Sequence, residues 1–225
     1  MRFHQKVAAL ALAANAALSS FGAQAASIEV RVAGTITPGS CTPTMAGGGT
    51  VDYGTIAANQ LSQTGYTLLS EKEVGLSISC DAPTKLAVRA VDNRHSSVVP
   101  GILSGLGVSF TSDSLNYGLG TASNAKIGGF ALLMKPGTFT ADSVAVYTTS
   151  SMNNGTSWLM SLTGGVLNVT NSLMSWSTKA GGPPIAVTNL SGIISVQAAL
   201  NKASELNLTS DVSLDGSATL ELVYL

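Results

Sequence analysis

The sequence predicts an all-β domain, a sandwich stitched by one disulfide. Three features carry that expectation. Apolar and polar residues alternate with period two near both ends of the chain, as in strands with one buried face. Turn formers are dense, with 24 glycines spread among abundant Ser, Thr and Asn. The chain also holds a single pair of cysteines, Cys41 and Cys80. High Ser and Thr alone would suggest disorder, but an apolar fraction of 45 % can support a core.

At the N-terminus, Arg2 and Lys6 lead into the apolar run Val7–Leu18, interrupted only by Asn15, and Ala23-Gln24-Ala25 follows. A basic start, an apolar stretch and an A-x-A ending make a secretory signal peptide over 1–25, with cleavage expected after Ala25. The apolar run is too short for a stable anchor, which needs about 20 residues. The mature chain is thus expected in an oxidising compartment, where an isolated cysteine pair reads as one bridge. Closing that loop would stabilise the fold by about 4 kcal/mol in the chain-entropy account. There is no C-x-x-C and no histidine beside either cysteine to favour a redox or metal site.

Loss of Arg2 and Lys6 leaves nine basic residues against 12 acidic ones, a net charge near −3. Such a surface offers no basic patch to a phosphate backbone, so nucleic acid is not an expected partner.

Along the mature chain, Ile28, Val30, Val32 and Ile36 alternate with polar or small residues, and Gly34 falls on their apolar side. Pro38-Gly39 turns the chain before Cys41. Residues 45–50 form a glycine-rich loop, followed by a short strand over 51–56 that breaks at Gly54. Val74, Leu76, Ile78 and Cys80 share one strand face, and Leu86, Val88 and Ala90 resume it after an expected turn at Asp81-Ala82-Pro83. Weaker strand signals run through 106–110, 127–134, 142–148, 156–162, 166–170, 184–188 and 192–200. Residues 196–206 are open between helix, by propensity, and strand, by context. Finally, Val212, Leu214, Gly216, Ala218, Leu220, Leu222 and Tyr224 occupy every second position, with Ser213, Asp215, Ser217, Thr219 and Glu221 opposite. No internal repeat or composition change divides the mature chain, so 38–225 is expected to be one sandwich.

In their order and spacing, several of these stretches resemble the pilins of the chaperone–usher pathway, such as type 1 and P-pilus subunits. Val30-Arg31-Val32-Ala33-Gly34-Thr35-Ile36 is similar to the family's N-terminal extension. Cys41 follows as the first family cysteine does, and Thr50-Val51-Asp52-Tyr53-Gly54 resembles the next strand. Leu76-Ser77-Ile78-Ser79-Cys80-Asp81 looks like the strand bearing the second cysteine. Gly216 to Leu225, with its penultimate Tyr224, resembles the last strand. The match covers 28–92 and 212–225; the middle, about 100–205, is longer than in a compact major pilin.

The resemblance implies an incomplete immunoglobulin-like sandwich with an apolar groove, polymerised by donor-strand complementation. Residues 26–37 would be the donor strand, presenting Ile28, Val30, Val32, Gly34 and Ile36 to a neighbouring fimbrial subunit. A periplasmic pilus chaperone would pair with Ala218, Leu220, Leu222, Tyr224 and Leu225, and an outer-membrane usher would export the subunit to a surface fimbrium. A donor-like segment together with such a last strand favours a shaft or minor subunit over a tip adhesin.

An enzyme is the rival of a different class. His95 is the mature chain's only histidine and there is no G-x-S-x-G elbow. Asp211, Asp215 and Glu221 read as polar-face or loop residues, not as a glycosidase pair. No catalytic, cofactor or metal residue is assigned. The alternative function is a secreted carbohydrate- or surface-binding sandwich, tip adhesin or lectin-like, meeting a host glycan or surface through Tyr147, Trp158 or Trp176.

Overall fold

The computed structural model describes residues 28–35, 39–104 and 112–225. The signal peptide expected over 1–25, the strand expected over 106–110 and Ile36 lie outside the described residues. Contacts divide the chain into two units, Met1–Thr37 and Pro38–Leu225.

In the first unit, residues 28–35 carry no regular secondary structure. Ile28, Val30 and Val32 are exposed by 91, 83 and 97 %. A single segment has no ladder partner of its own, so alternation by itself does not make it a strand. Arg31 and Glu29 meet locally at 3.0 Å.

The second unit is all-β, with no α-helix among its described residues. Its strands are β1 (Cys41–Met45), β2 (Thr67–Leu68), β3 (Lys72–Asp92), β4 (Tyr117–Gly118) and β5 (Thr121–Ala122). Next come β6 (Ala125–Lys126), β7 (Gly128–Met134), β8 (Thr140–Ala141), β9 (Val144–Ala145) and β10 (Tyr147–Ser151). The last four are β11 (Leu159–Met160), β12 (Leu173–Ser177), β13 (Ala186–Leu200) and β14 (Ala218–Tyr224).

Pairing is antiparallel throughout the described strands. One layer joins β1 to the first half of β3, then β13, β7 and β4, with β2, β8 and β9 along its margins. The other runs β11-β10-β12-β3-β14 and uses the second half of β3. The 21-residue β3 therefore belongs to both layers. Leu76, Ile78, Phe130, Leu132 and Ile194 from the first layer meet Leu86, Val88, Met174 and Trp176 from the second in one core. This is the expected sandwich.

The turn expected at Asp81-Ala82-Pro83 is not there. β3 runs through it as a bulge: Val187 pairs with Thr84, but Asn189 already pairs with Ser79. Pro83, which has no amide hydrogen, sits where no ladder bond is required of it. Side chains cover the irregularity. The Asp81 carboxylate accepts the Ser40 amide at 2.7 Å, and the Asp142 carboxylate accepts the amides of Thr188 and Asn189 at 3.2 and 2.8 Å.

Other expectations are adjusted. The segments 184–188 and 192–200 are one strand, β13, and 196–206 is strand to Leu200 followed by a single 3-10 turn at Ala203–Glu205. The 142–148 signal splits, because Asp142 and Ser143 turn with φ of 47° and 69° between β8 and β9. Residues 166–170 form no strand, and 156–162 contains only the two-residue β11.

Candidate functional site

Within the second unit, the sandwich is open between residues 49–58 and 206–220. The opening is a groove of about 1120 Å³. Phe130 and Leu132 of β7 and Ile194 and Val196 of β13 form its floor, with Leu119, Ile127 and Leu200 beside them. The floor follows from alternation in β7 and β13, which sends these side chains inward.

One lip is the segment 51–56. Val51, Tyr53 and Ile56 are half-buried while Asp52, Gly54 and Thr55 are exposed. Gly54, with φ of 64°, resets the alternation, so the next inward residue is Ile56 and not Thr55. The Asp52 carboxylate accepts the Gly54 amide at 2.7 Å, fixing that kink. Side chains also hold the lip: the Tyr53 hydroxyl donates to the Val196 carbonyl at 3.2 Å, and the Lys72 ammonium lies 5.8 Å from the Tyr53 ring centre. Burial raises the Tyr53 pKa, with the Glu71 charge adding to the rise. The segment was expected to be a strand. Among the described residues, however, its backbone from Val51 to Ile56 pairs with no other backbone.

The second lip carries Leu206, Leu208, Val212 and Leu214, continued by Ala218 and Leu220 of β14, all half-buried. Ladder pairing begins only at Ala218, opposite Asp92, although the alternation starts at Val212. Among the described residues, Leu208–Leu214 likewise have no backbone partner. Gly216 lets this lip lie close over the floor. A Cβ there would stand 2.8 Å from Leu119 and 2.9 Å from Phe130.

The arrangement is a sandwich core with a strip of its cover absent. Two segments whose backbones have no ladder partner among the described residues flank an apolar channel, which is the chemistry that accepts an extended segment. Small-molecule pockets span about 300–1,000 Å³, so this groove lies beyond their usual range.

The remaining sequence-derived residues fall as follows. Cys41 and Cys80 form the expected disulfide and face each other directly in the β1–β3 ladder. Leu220, Leu222 and Tyr224 pair with Ala90, Val88 and Leu86, and the Leu225 amide donates to the Lys85 carbonyl at 3.1 Å. The Tyr224 hydroxyl accepts the Cys41 amide at 3.0 Å, a tie that alternation could not reveal. Trp176 is 1 % exposed, its ring 5.5 Å from Phe139, so it has no face for a sugar. Trp158 is half-buried and its indole N–H donates to the Gly155 carbonyl at 3.1 Å. Tyr147 is half-exposed at 49 %. His95 is a surface side chain 3.9 Å from the buried Asp92 carboxylate, which accepts the amides of Arg94 and Gly118 at 2.8 and 3.0 Å. A smaller concavity of about 300 Å³ is lined by Thr42, Thr44, Ser77, Ser79, Asn189 and Ser191. Its polar groups partly satisfy one another, as Ser79 does with Asn189 at 3.2 Å.

Fold and site together define a disulfide-bonded β-sandwich with an open apolar groove. The chain belongs to the DUF1120 family, proteins of unknown function, whose model matches residues 30–131. It is 30 % identical over 247 residues to the uncharacterized protein YhcF of Escherichia coli (strain K12), covering 95 % of this chain and 98 % of that one. It is 29 % identical over 255 residues to Protein GltF of the same organism, with all of both chains covered.

Proposed function

We propose that this protein is a structural subunit of a chaperone–usher fimbria and that its groove receives a β-segment from a neighbouring subunit. One observation carries the reading: an apolar floor lies between residues 51–56 and 208–214, whose backbones lack ladder partners among the described residues. Residues 26–37 are the donor. They present Ile28, Val30, Val32 and Ile36 on one side, and Gly34 allows close backbone approach where the floor is shallow. Burying those four side chains contributes about 1.5–3 kcal/mol each before ordering costs, and each ladder bond adds about 0.5–1.5 kcal/mol.

An unfilled groove is an aggregation hazard, which gives a periplasmic chaperone its role at β14 and an outer-membrane usher its role in export. The product is a fimbrium at the cell surface with a part in adhesion. The resemblance of 28–92 and 212–225 to pilins supports the same reading.

The test is deletion of residues 26–37 in a strain carrying the matching chaperone and usher. The truncated chain should still co-purify with the chaperone but should not enter fibres. Fibre assembly at the undeleted level would refute the proposal.

A further inference from the structure

The second lip changes character abruptly. Leu208–Leu214 have no backbone partner among the described residues, but Asp215 and Ser217, which follow, are fastened. The Asp215 amide donates to the Leu119 carbonyl at 3.0 Å, and the Ser217 carbonyl accepts the Asn93 amide at 3.0 Å. The Asn93 side-chain amide donates to the hydroxyls of Ser217 and Thr219, both at 3.0 Å. Arg94 grips Asp215 with two guanidinium nitrogens, at 2.8 and 3.0 Å, and reaches the Asp215 carbonyl at 3.1 Å. A fork-on-carboxylate contact fixes direction as well as distance. Every one of these side-chain ties comes from two successive residues after β3. Asp92, just before them, is itself held by the amides of Arg94 and Gly118.

We propose that Asn93 and Arg94 are the fixed post of a hinged lip: they immobilise Asp215–Ser217, so that Leu208–Leu214 moves as one piece to pair with an incoming strand. The inference rests on the groove being a strand acceptor, as argued above. Arg94 is then a positioning residue. It is not among the residues that line the groove, and it acts by setting where the movable stretch begins. Gly216 belongs to the fixed part, since it lies between the fastened Asp215 and Ser217, where a Cβ would stand 2.8 Å from Leu119 and 2.9 Å from Phe130.

The experiment is amide hydrogen exchange on the oxidised full chain, alone and with a synthetic peptide of residues 26–37, alongside anisotropy binding of the labelled peptide. In the free protein, amides 208–214 should exchange rapidly and that of Asp215 slowly; with peptide, 208–214 should become protected. Arg94→Ala should speed exchange at Asp215 and Asn93, leave the β3–β13 ladder unchanged, and weaken peptide binding about two- to fivefold, the scale of an exposed ion pair. The exchanged pair Arg94→Asp with Asp215→Arg should restore both readouts, which a general loss of folding would not allow. Slow exchange across 208–214 in the free protein, or Arg94→Ala indistinguishable from wild type, would overturn the hinge. Failure of the unaltered chain to bind the peptide would instead overturn the acceptor reading beneath it.

Discussion

Replacing Cys41 and Cys80 together by alanine should cost this domain about 4 kcal/mol. The cysteines are 39 residues apart in sequence. In the chain-entropy account a loop of that length removes about 13 cal/mol/K from the unfolded ensemble, or about 4 kcal/mol at 25 °C. Domains of ordinary stability have about 5–15 kcal/mol in total, so the loss is a large share. Alanine is preferred to serine because the sites are only 9 and 5 % exposed, and a buried hydroxyl would add its own penalty. In urea, with a slope of about 2 kcal/mol/M, the midpoint should fall by about 2 M, and the slope should rise as the unfolded chain expands. Wild-type protein held under reductant should unfold with the double variant. A loss below about 1 kcal/mol would refute the chain-entropy account for this loop and point to residual structure in the unfolded chain.

Two further outcomes test the groove. Gly216→Ala should lift the second lip or displace the Phe130 ring, destabilising the fold by about 1–3 kcal/mol and altering binding of a 26–37 peptide; unchanged melting and binding would mean the lip is not seated on Phe130. The Arg94 hydrogen bond and charge hold the Asp215 carboxyl below its ordinary value of 3.8. The grip is therefore complete above that value and is lost only as pH falls through the lowered one. An NMR titration of the Asp215 carboxyl should have its midpoint below 3.8, and a midpoint at or above it would refute the clamp.

Much of the scaffold was legible because one-sided burial leaves a period-two signature. The two halves of β3 and the terminal β14 announce themselves in that way, and the disulfide does so through its isolated cysteine pair. β12 does not. All five of its residues are buried, among them Ser175, whose hydroxyl donates to the Leu86 carbonyl at 2.6 Å, so no alternation marks it. The continuity of β3 was hidden by Pro83, which local rules read as a turn and which the bulge accommodates through tertiary contacts. The groove was foreseeable only in part. Alternation in 51–56 and 212–220 identified inward-facing side chains, but not that the backbones of 51–56 and 208–214 would stay unpaired. That depends on which strands reach them, a long-range matter. Arg94 had no local signal either, since its partner Asp215 lies 121 positions away.

The sharing of β3 by both layers has a mechanical consequence. Tension entering the second unit through the residues before Cys41 passes by a covalent bond into β3 at Cys80, leaving the intervening loop slack. Tension entering from the C-terminus meets the same strand through the seven-residue ladder of β14. A pull applied at the two ends therefore converges on the short stretch of β3 between Cys80 and Leu86, and it loads the β14 ladder from its Tyr224–Leu86 end, where backbone bonds open one after another. The middle of the chain, from β4 to β13, is outside that load path and is free to vary in length without weakening it.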